Sequence, residues 1–134
     1  MQKSIKQHFR ILNLKNAKCW EFCFNTCNPF GLSFSFDSCQ LNNSSFYTTK
    51  IKNTVFKNSH LQETDFEEAD LTGAVFSNCN LIQAVFNHPI LEKADFRTSY
   101  NYSLDPEINR IRKAKFSLLG LSGLLDKYEI ELEG

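Results

Sequence analysis

The sequence is poor in the residues that interrupt regular structure, and it has no long apolar run. Among its 134 residues there are only 5 Gly, 3 Pro, 1 Met and 1 Trp. No apolar stretch approaches the roughly 18 residues of a membrane-spanning helix, and the N-terminal residues lack the apolar core of a signal peptide. We therefore expect a cytoplasmic protein with no membrane contact, folded as a single domain over residues 1–134.

The chain also has no excess of either charge. Its 15 Lys and Arg balance 15 Asp and Glu, which argues against a basic nucleic-acid-binding protein and predicts no direct contact with nucleic acid. The charges are unevenly placed, because residues 62–95 hold seven acidic residues and one basic residue, a net charge of −6. The acidic side chains of that segment are the first candidates for a functional surface.

No catalytic or metal-binding motif is present. Three of the cysteines follow a C-x3-C-x3-C spacing, which fits no common zinc site. We expect reduced thiols packed in the core, with Cys23 facing outward, and histidines on the surface. The residues concerned are Cys19, Cys23, Cys27, Cys39 and Cys79, and His8, His60 and His88. Because a Gly-rich phosphate loop is also missing, the sequence predicts a protein that is not an enzyme and uses no cofactor or metal.

What the sequence does contain is a period of five. Large apolar residues occupy every fifth position from 36 to 96, and the phase returns at 111, 116 and 121 after misses at Asn101 and Pro106. The uninterrupted series is Phe36, Leu41, Phe46, Ile51, Phe56, Leu61, Phe66, Leu71, Phe76, Leu81, Phe86, Leu91 and Phe96. From Leu41 onward, a small or compact residue precedes each of these by two positions. Neither a helix nor a strand places every fifth side chain on one face, so another architecture is needed.

The segment TDFEE-ADLTG-AVFSN-CNLIQ-AVFNH, residues 64–88, resembles the A(D/N)LXX signature of the pentapeptide-repeat family. The resemblance implies an all-β fold: a right-handed quadrilateral β-helix (pentapeptide-repeat solenoid) of about five coils with a short C-terminal helical cap. Four pentapeptides form the four sides of one coil, so each residue should meet its equivalent twenty positions later, about 4.8 Å along the axis. We expect irregular N-terminal coils at 7–33, regular repeats at 34–98, an interrupted coil at 99–113, and the last coil and cap at 114–134.

Both ends depart from the repeat. Phe24 and Phe36 are twelve residues apart, two more than two repeat units, so a bulge or loop within residues 27–38 should absorb the excess. Near the other end, Asp105 and Pro106 suit the N-cap and first residue of a single helical turn, or an outward loop. Beyond Leu121 the sequence predicts a short helix at 121–127 and a strand or extended tail at 128–133.

The acidic residues of one coil form the candidate functional surface. These residues, called the acidic belt below, are Glu63, Asp65, Glu67, Glu68 and Asp70. The segment LDPEINRI, residues 104–111, resembles the quinolone-resistance and microcin-immunity members of the family. That resemblance implies a protein partner, DNA gyrase or topoisomerase IV, contacted by mimicry of the shape and charge of DNA. Equivalent positions in the neighbouring coils carry no carboxylate, so a solvated coil that keeps the rod soluble is the alternative interpretation.

Two sets of apolar residues are candidates for other contacts. The resemblance implies a homodimer formed through the C-terminal segment, with Leu124, Leu125, Tyr128, Ile130 and Leu132 as the interface. Outward positions of the repeat hold a second set, namely Val55, Val75, Ile82, Val85 and Ile90. This second set would suit a structural or assembly module that does not mimic DNA. The sequence leaves these two functions open.

Overall fold

The computed structural model describes residues 10–24 and 32–133, over which the backbone winds into a four-sided helix of parallel strands. The strands are β1 (Arg10–Lys15), β2 (Leu32–Asp37), β3 (Val55–Lys57) and β4 (Val75–Ser77), paired in that order in one sheet. Two 3₁₀ helices, Leu118–Leu124 and Asp126–Tyr128, follow at the C-terminal end. Within these residues, no helix is long and apolar enough to span a membrane.

The sides of the helix pair through short strands or through single bridges. On the side that contains the four strands, the ladder continues from Val75 to Asp95 and from Asp95 to Lys115. This side therefore has six rungs, which correspond to five turns of the chain. The other sides repeat every twenty residues through bridges such as Ser45 to Asp65. The expected quadrilateral β-helix of about five coils is confirmed.

Each side carries one column of large apolar residues and is named here after one member. The Phe36 face has Phe36, Phe56, Phe76, Phe96 and Phe116; the Leu41 face has Leu41, Leu61 and Leu81; the Phe46 face has Phe46, Phe66 and Phe86; and the Ile51 face has Ile51, Leu71, Leu91 and Ile111. All are buried except Phe116 and Ile111 of the last coil, which are half-buried against the core. The predicted columns are therefore confirmed.

The two phenylalanine columns lie on opposite sides of the coil and meet in its centre. Within the Phe36 face, Phe36, Phe56 and Phe76 stack with ring centroids 5.0 and 4.9 Å apart and planes within 5° of parallel. Across the core, Phe46 meets Phe56 edge-on at 5.7 Å and 90°. Aromatic rings favour both arrangements over a face-to-face sandwich. Phenylalanine thus fills the centre of the core between these two columns, which contain eight of the 13 Phe in the sequence.

The chain turns a corner after each buried residue, and this turn sets the period of five. The residue two positions beyond the large apolar one has a left-handed backbone, as in Asn43 (φ 61°), Asn53 (60°) and Gly73 (70°). Asn and Gly tolerate this region better than other residues do. The segment TTKIKN, residues 48–53, therefore forms one side of a coil, and at Asn53 the backbone turns into the next side.

Polar residues at the small inward positions are buried together with hydrogen-bond partners. The side chains of Thr64, Cys79 and Ser99 donate to the carbonyl of the large residue 23 positions earlier, at 3.0, 3.3 and 2.6 Å. These contacts link neighbouring coils and remove the penalty of burying a hydroxyl or thiol. In the part of the chain that the structure describes, Thr54 departs from the pattern, because its buried Oγ1 has no hydrogen-bond partner.

The first coil has a different register. Leu14 of β1 pairs with Phe36 of β2, an offset of twenty-two residues instead of twenty. Phe24 likewise stacks on Phe46, with centroids 4.5 Å apart and planes within 1° of parallel. The offset of two matches the excess that the sequence predicts between Phe24 and Phe36. Residues 25–31, where much of the expected bulge falls, lie outside the described residues.

The interrupted coil keeps the core filled by other residues. Tyr102 and Leu104 are buried where the period of five misses at Asn101 and Pro106. The predicted turn at Asp105 is confirmed, because its carboxylate accepts a hydrogen bond from the Glu107 amide at 2.9 Å and its carbonyl accepts from Ile108 at 3.2 Å. The chain then rejoins the helix, and Phe116 stacks on Phe96 at 5.3 Å.

The C-terminal cap differs from the predicted one in where it begins. The chain leaves the coil at Ser117, whose hydroxyl accepts from the Gly120 amide, so a 3₁₀ helix starts at Leu118 instead of residue 121. Leu121 keeps the phase of the repeat but does not continue the inward column, since 41% of this residue is exposed. A second short 3₁₀ helix ends at Tyr128, and residues 129–133 form no strand.

Candidate functional site

The acidic belt extends across three of the four sides of one coil and does not run along the axis of the rod. Glu63 lies on the Leu41 face, Asp65, Glu67 and Glu68 lie on the Phe46 face, and Asp70 lies on the Ile51 face. Every one of them is at an outward position. The structure therefore brings together three of the five carboxylates on one side and distributes the other two around the corners.

The coils on either side of the belt do not extend it. Asp65 pairs with Ser45 below and Val85 above, and Asp70 pairs with Lys50 and Ile90. Duplex DNA carries about one negative charge per 1.7 Å of axis, or roughly three per coil of this rod. The belt reaches that density within a single coil, and it ends there.

Two of the belt carboxylates are engaged in the turns of the backbone. Asp65 Oδ1 accepts from the Glu67 amide at 2.9 Å. Asp70 Oδ1 accepts from the Thr72 amide at 3.2 Å and from its hydroxyl at 2.7 Å, while Lys52 Nζ lies 3.7 Å from Asp70 Oδ2. Such contacts to the backbone two residues ahead are a usual role of Asp in turns.

The other three belt residues are unpaired. Glu63, Glu67 and Glu68 form no hydrogen bond or ion pair through their carboxylates with any described residue. Glu63 and Glu68 also occupy corner positions, with φ of 55° and 57°. This left-handed conformation is unfavourable for a residue with a Cβ, more so for Glu than for Asn. These two side chains therefore add exposed charge at a position where Asn or Gly would suit the fold better.

The predicted interface residues of the C-terminal segment fall into two groups. Leu124 packs half-buried against the core and Leu125 is also half-buried, whereas Tyr128, Ile130 and Leu132 are about half exposed. The most exposed apolar side chains of the cap were not among the predicted interface residues. They are Leu118 and Leu119, at 89% and 97% exposed. In the sequence, the glycines at 120 and 123 were the available sign that the repeat ends here.

The cap is fastened to the interrupted coil by a set of ionic contacts, called the cap clamp below. Lys127 Nζ lies 3.1 Å from Asp105 Oδ1 and 3.0 Å from Glu107 Oε1, and the Tyr128 hydroxyl donates to Glu107 Oε2 at 2.9 Å. The hydrogen bond from the Glu107 amide lowers the pKa of Asp105. The hydrogen bond from Lys127 lowers the pKa of Glu107. The hydrogen bond to Glu107 raises the pKa of Lys127.

A cavity of about 430 Å³ lies between the last regular coil and the cap. Tyr102 forms part of its wall, and its buried hydroxyl has no hydrogen-bond partner in the described part of the chain. Gly120 and Gly123 approach the tyrosine so closely that a Cβ at either position would collide with it. Arg97, which also lines the cavity, is held by both carboxylate oxygens of Asp95 at 3.0 and 2.9 Å. The cavity thus presents mainly hydroxyl groups and apolar surface.

The cysteines and histidines lie where the repeat predicts, as far as they are described. Cys39 and Cys79 are buried, Cys23 is exposed, and burial raises the pKa of the Cys79 thiol to about 11. His60 and His88 are exposed on different faces. Cys27 and His8 lie outside the described residues. Across residues 10–24 and 32–133 there is no group of three or more His, Cys, Asp and Glu side chains that could hold a metal ion.

The chain belongs to the pentapeptide-repeat family. It matches the pentapeptide repeat region of that family over residues 23–100, which is more than half of its length. The solved structures it resembles are right-handed β-helices, which agrees with the predicted fold class. No curated protein sequence matches the chain significantly.

Several solved pentapeptide repeat proteins are similar in structure but distant in sequence. HetL from the cyanobacterium Nostoc sp. strain PCC 7120, involved in heterocyst differentiation regulation, has 14% identity and a TM-score of 0.59, over 79% of this chain and 46% of HetL. A protein from the Arabidopsis thaliana thylakoid lumen has 16% identity and a TM-score of 0.46, over 70% of this chain and 61% of its own. QnrB1, a plasmid-mediated fluoroquinolone resistance protein, has 16% identity and a TM-score of 0.34, over 95% of both chains. The chain thus spans about half the length of HetL, and the likeness to HetL establishes the fold alone.

Proposed function

We propose that this pentapeptide-repeat protein is not an enzyme and acts by binding another protein, with DNA gyrase or topoisomerase IV as the first candidate. The observation that carries this proposal is the set of unpaired, outward carboxylates Glu63, Glu67 and Glu68 on a rigid rod. A partner that normally holds DNA presents cations, and it would attract these charges. The cytoplasmic location expected from the sequence belongs to the same proposal.

The geometry limits what mimicry of DNA the belt can achieve. Its five carboxylates lie within one coil, about 4.8 Å along the axis, so they would imitate a few phosphates and not an extended backbone. Asp65 and Asp70 already accept hydrogen bonds within the backbone turns. We therefore assign the partner contact chiefly to Glu67 and Glu68, which lie on the same face, with Glu63 around the corner.

A supercoiling assay with DNA gyrase tests this assignment. The protein is compared with the variant Glu63→Gln/Glu67→Gln/Glu68→Gln, in the presence and absence of a quinolone. We expect the protein to change the supercoiling rate or the quinolone sensitivity, and the variant to change it much less. The control is Asp65→Asn/Asp70→Asn, which keeps an acceptor for the backbone turns and removes less unpaired charge. If the unsubstituted protein has no effect, the topoisomerase is the wrong partner; if all three act equally, the belt is the wrong surface.

We also propose that the protein is a homodimer joined through the cap. The support is the exposed apolar surface of Leu118, Leu119, Ile130 and Leu132, since such a patch is unfavourable in water unless it is covered. Leu118→Gln/Leu119→Gln should convert a dimer into a monomer in sedimentation experiments. Ile82→Gln, which also replaces an exposed apolar residue but lies away from the cap, is the control. A monomer before any substitution would contradict the proposal.

A second candidate function is an assembly module that contacts its partner through apolar residues. Val55 and Val75 favour it, because they pair directly on neighbouring strands and point outward on the Phe36 face. Salt separates the two functions. Binding through the belt should weaken as salt screens the carboxylates, whereas binding through valine side chains should not.

A further inference from the structure

The Ile51 face carries an excess of positive charge that the rest of the fold does not neutralise. Its described outward residues include six cations and two carboxylates. They are Lys50, Lys52, Lys93, Arg110, Arg112 and Lys113, with Asp70 and Glu92. Both carboxylates are already paired, because Lys52 Nζ lies 3.7 Å from Asp70 and Arg110 Nη2 lies 3.0 Å from Glu92. The other four cations have no carboxylate of a described residue within ion-pair distance.

Three of these unpaired cations converge at the C-terminal end of the face. Lys93, Arg112 and Lys113 line a cleft of about 190 Å³ together with Glu92, whose carboxylate is held by Arg110. Lys93 and Lys113 occupy the same corner position in neighbouring coils, each with φ 63°. The Lys93 amide donates to the Arg112 carbonyl at 3.0 Å, so the two coils are in direct contact there. All three side chains are exposed.

This arrangement does not serve folding. Like charges at equivalent positions of adjacent strands repel each other and destabilise the pair. The left-handed corner is also better suited to Asn or Gly than to Lys. Replacing these cations by neutral residues should therefore leave the stability of the rod unchanged or raise it. Cations that weaken the free rod are best explained by a negatively charged partner.

The composition of the face favours a protein partner over a nucleic acid. Its described residues include no aromatic side chain on which bases could stack. A continuous phosphate backbone laid along the face would also pass over Asp70 and Glu92. An acidic polypeptide can place separate carboxylates beside Lys93, Arg112 and Lys113 and avoid the other two. We propose that this end of the Ile51 face binds an Asp- or Glu-rich segment of a protein partner. The site is distinct from the acidic belt and the cap, and it does not depend on a topoisomerase as partner.

The test is direct binding of a fluorescein-labelled oligoglutamate peptide, measured by fluorescence anisotropy. Lys93→Gln/Arg112→Gln/Lys113→Gln should weaken binding at least about tenfold at low salt. The matched control is Lys15→Gln/Lys18→Gln/Lys57→Gln, which makes the same change in net charge on other faces and should weaken binding less than about threefold. High salt should remove the difference between the two variants. Melting temperatures should show that the first variant is at least as stable as the unsubstituted protein.

Several results would overturn the proposal. The first is that the unsubstituted protein does not bind oligoglutamate. The second is that both variants weaken binding equally, because the effect would then depend on net charge alone. Tighter binding of a labelled DNA duplex or of phosphatidylserine vesicles, lost in the same variant, would assign the face to another class of partner. A clear loss of stability in the first variant would instead assign the three cations to the fold.

Discussion

The two inward threonines at positions 54 and 64 offer a direct test of how the coils are joined. Both are buried and both precede a phenylalanine of the core by two positions. Thr64 Oγ1 donates to the Leu41 carbonyl at 3.0 Å, whereas Thr54 Oγ1 has no hydrogen-bond partner among residues 10–24 and 32–133. Substitution by Val replaces the hydroxyl by a methyl group of similar size, so the effect on stability should depend on the hydrogen bond and not on packing.

The two substitutions should act in opposite directions. Thr64→Val loses one buried hydrogen bond, about 0.5–1.5 kcal/mol, and leaves the Leu41 carbonyl satisfied by the Ser44 amide at 3.1 Å. Thr54→Val removes a hydroxyl that is desolvated without compensation, a penalty of about 1–3 kcal/mol. We therefore expect the valine variant at 54 to be more stable than the one at 64 by about 1.5–4.5 kcal/mol.

Urea unfolding of both variants measures this difference. The slopes of the two transitions should match, since the surface exposed on unfolding is the same, and the midpoints should move apart on either side of that of the unsubstituted protein. If both variants lose stability equally, the hydroxyl at 54 has a partner in solution, and the hydrogen-bond assignment that separates the two positions is refuted.

Three further predictions concern the belt, the cap and the thiols. Glu68→Asn should raise the free energy of unfolding by up to about 1 kcal/mol, because Asn tolerates the left-handed backbone of this corner better than Glu does. Glu67 is not at such a corner, so Glu67→Asn should bring no gain in stability. Urea unfolding of the two variants measures the difference. The cap clamp should hold at neutral pH and open as pH falls through the lowered pKa values of its two carboxylates, Asp105 and Glu107. Proteolysis of the cap should show this acid step, and Lys127→Ala should release the cap already at neutral pH. In the folded protein the exposed Cys23 should react rapidly with a thiol reagent and Cys79 only on unfolding, since burial holds its pKa at about 11.

The inward half of the structure could be predicted because it repeats. Each regular coil places residue n under residue n + 20, so the columns of Phe56 and Leu61 follow from counting alone. The same counting exposed the two-residue excess before Phe36, which appears as an offset of twenty-two between β1 and β2. Where the repeat stops, counting no longer locates the residues. Leu121 keeps the phase of five but is exposed, because Gly120 and Gly123 pack against Tyr102 and the chain leaves the coil in a 3₁₀ helix.

The outward half was predicted less completely, although the information was present. Counting by twenty showed that the acidic residues occupy one coil. Applied to the basic residues, it would have placed Lys50 and Arg110 in one column of the Ile51 face. The pairing of Lys52 with Asp70 and of Arg110 with Glu92 could not be read in this way, because those contacts depend on side-chain conformation. The exposure of Leu118 and Leu119 likewise depends on the path of the cap, for which the repeat gives no rule.

The division between inward and outward residues has a consequence for function. Because the inward pair of each repeat unit determines the coil, the three outward residues can vary with little effect on the fold, and one rod can present different surfaces on different faces. This chain presents carboxylates on the Phe46 face, unpaired cations on the Ile51 face, and apolar side chains at the cap. The net charge of zero therefore arises because negative and positive charges lie on different surfaces and cancel in the total. It is not evidence that charge is unimportant for binding. Partner binding should consequently be analysed face by face. Neutralising the belt should leave oligoglutamate binding intact or strengthen it, because it removes negative charge from the Ile51 face and from the neighbouring Phe46 face. Contacts made through apolar side chains should be insensitive to salt.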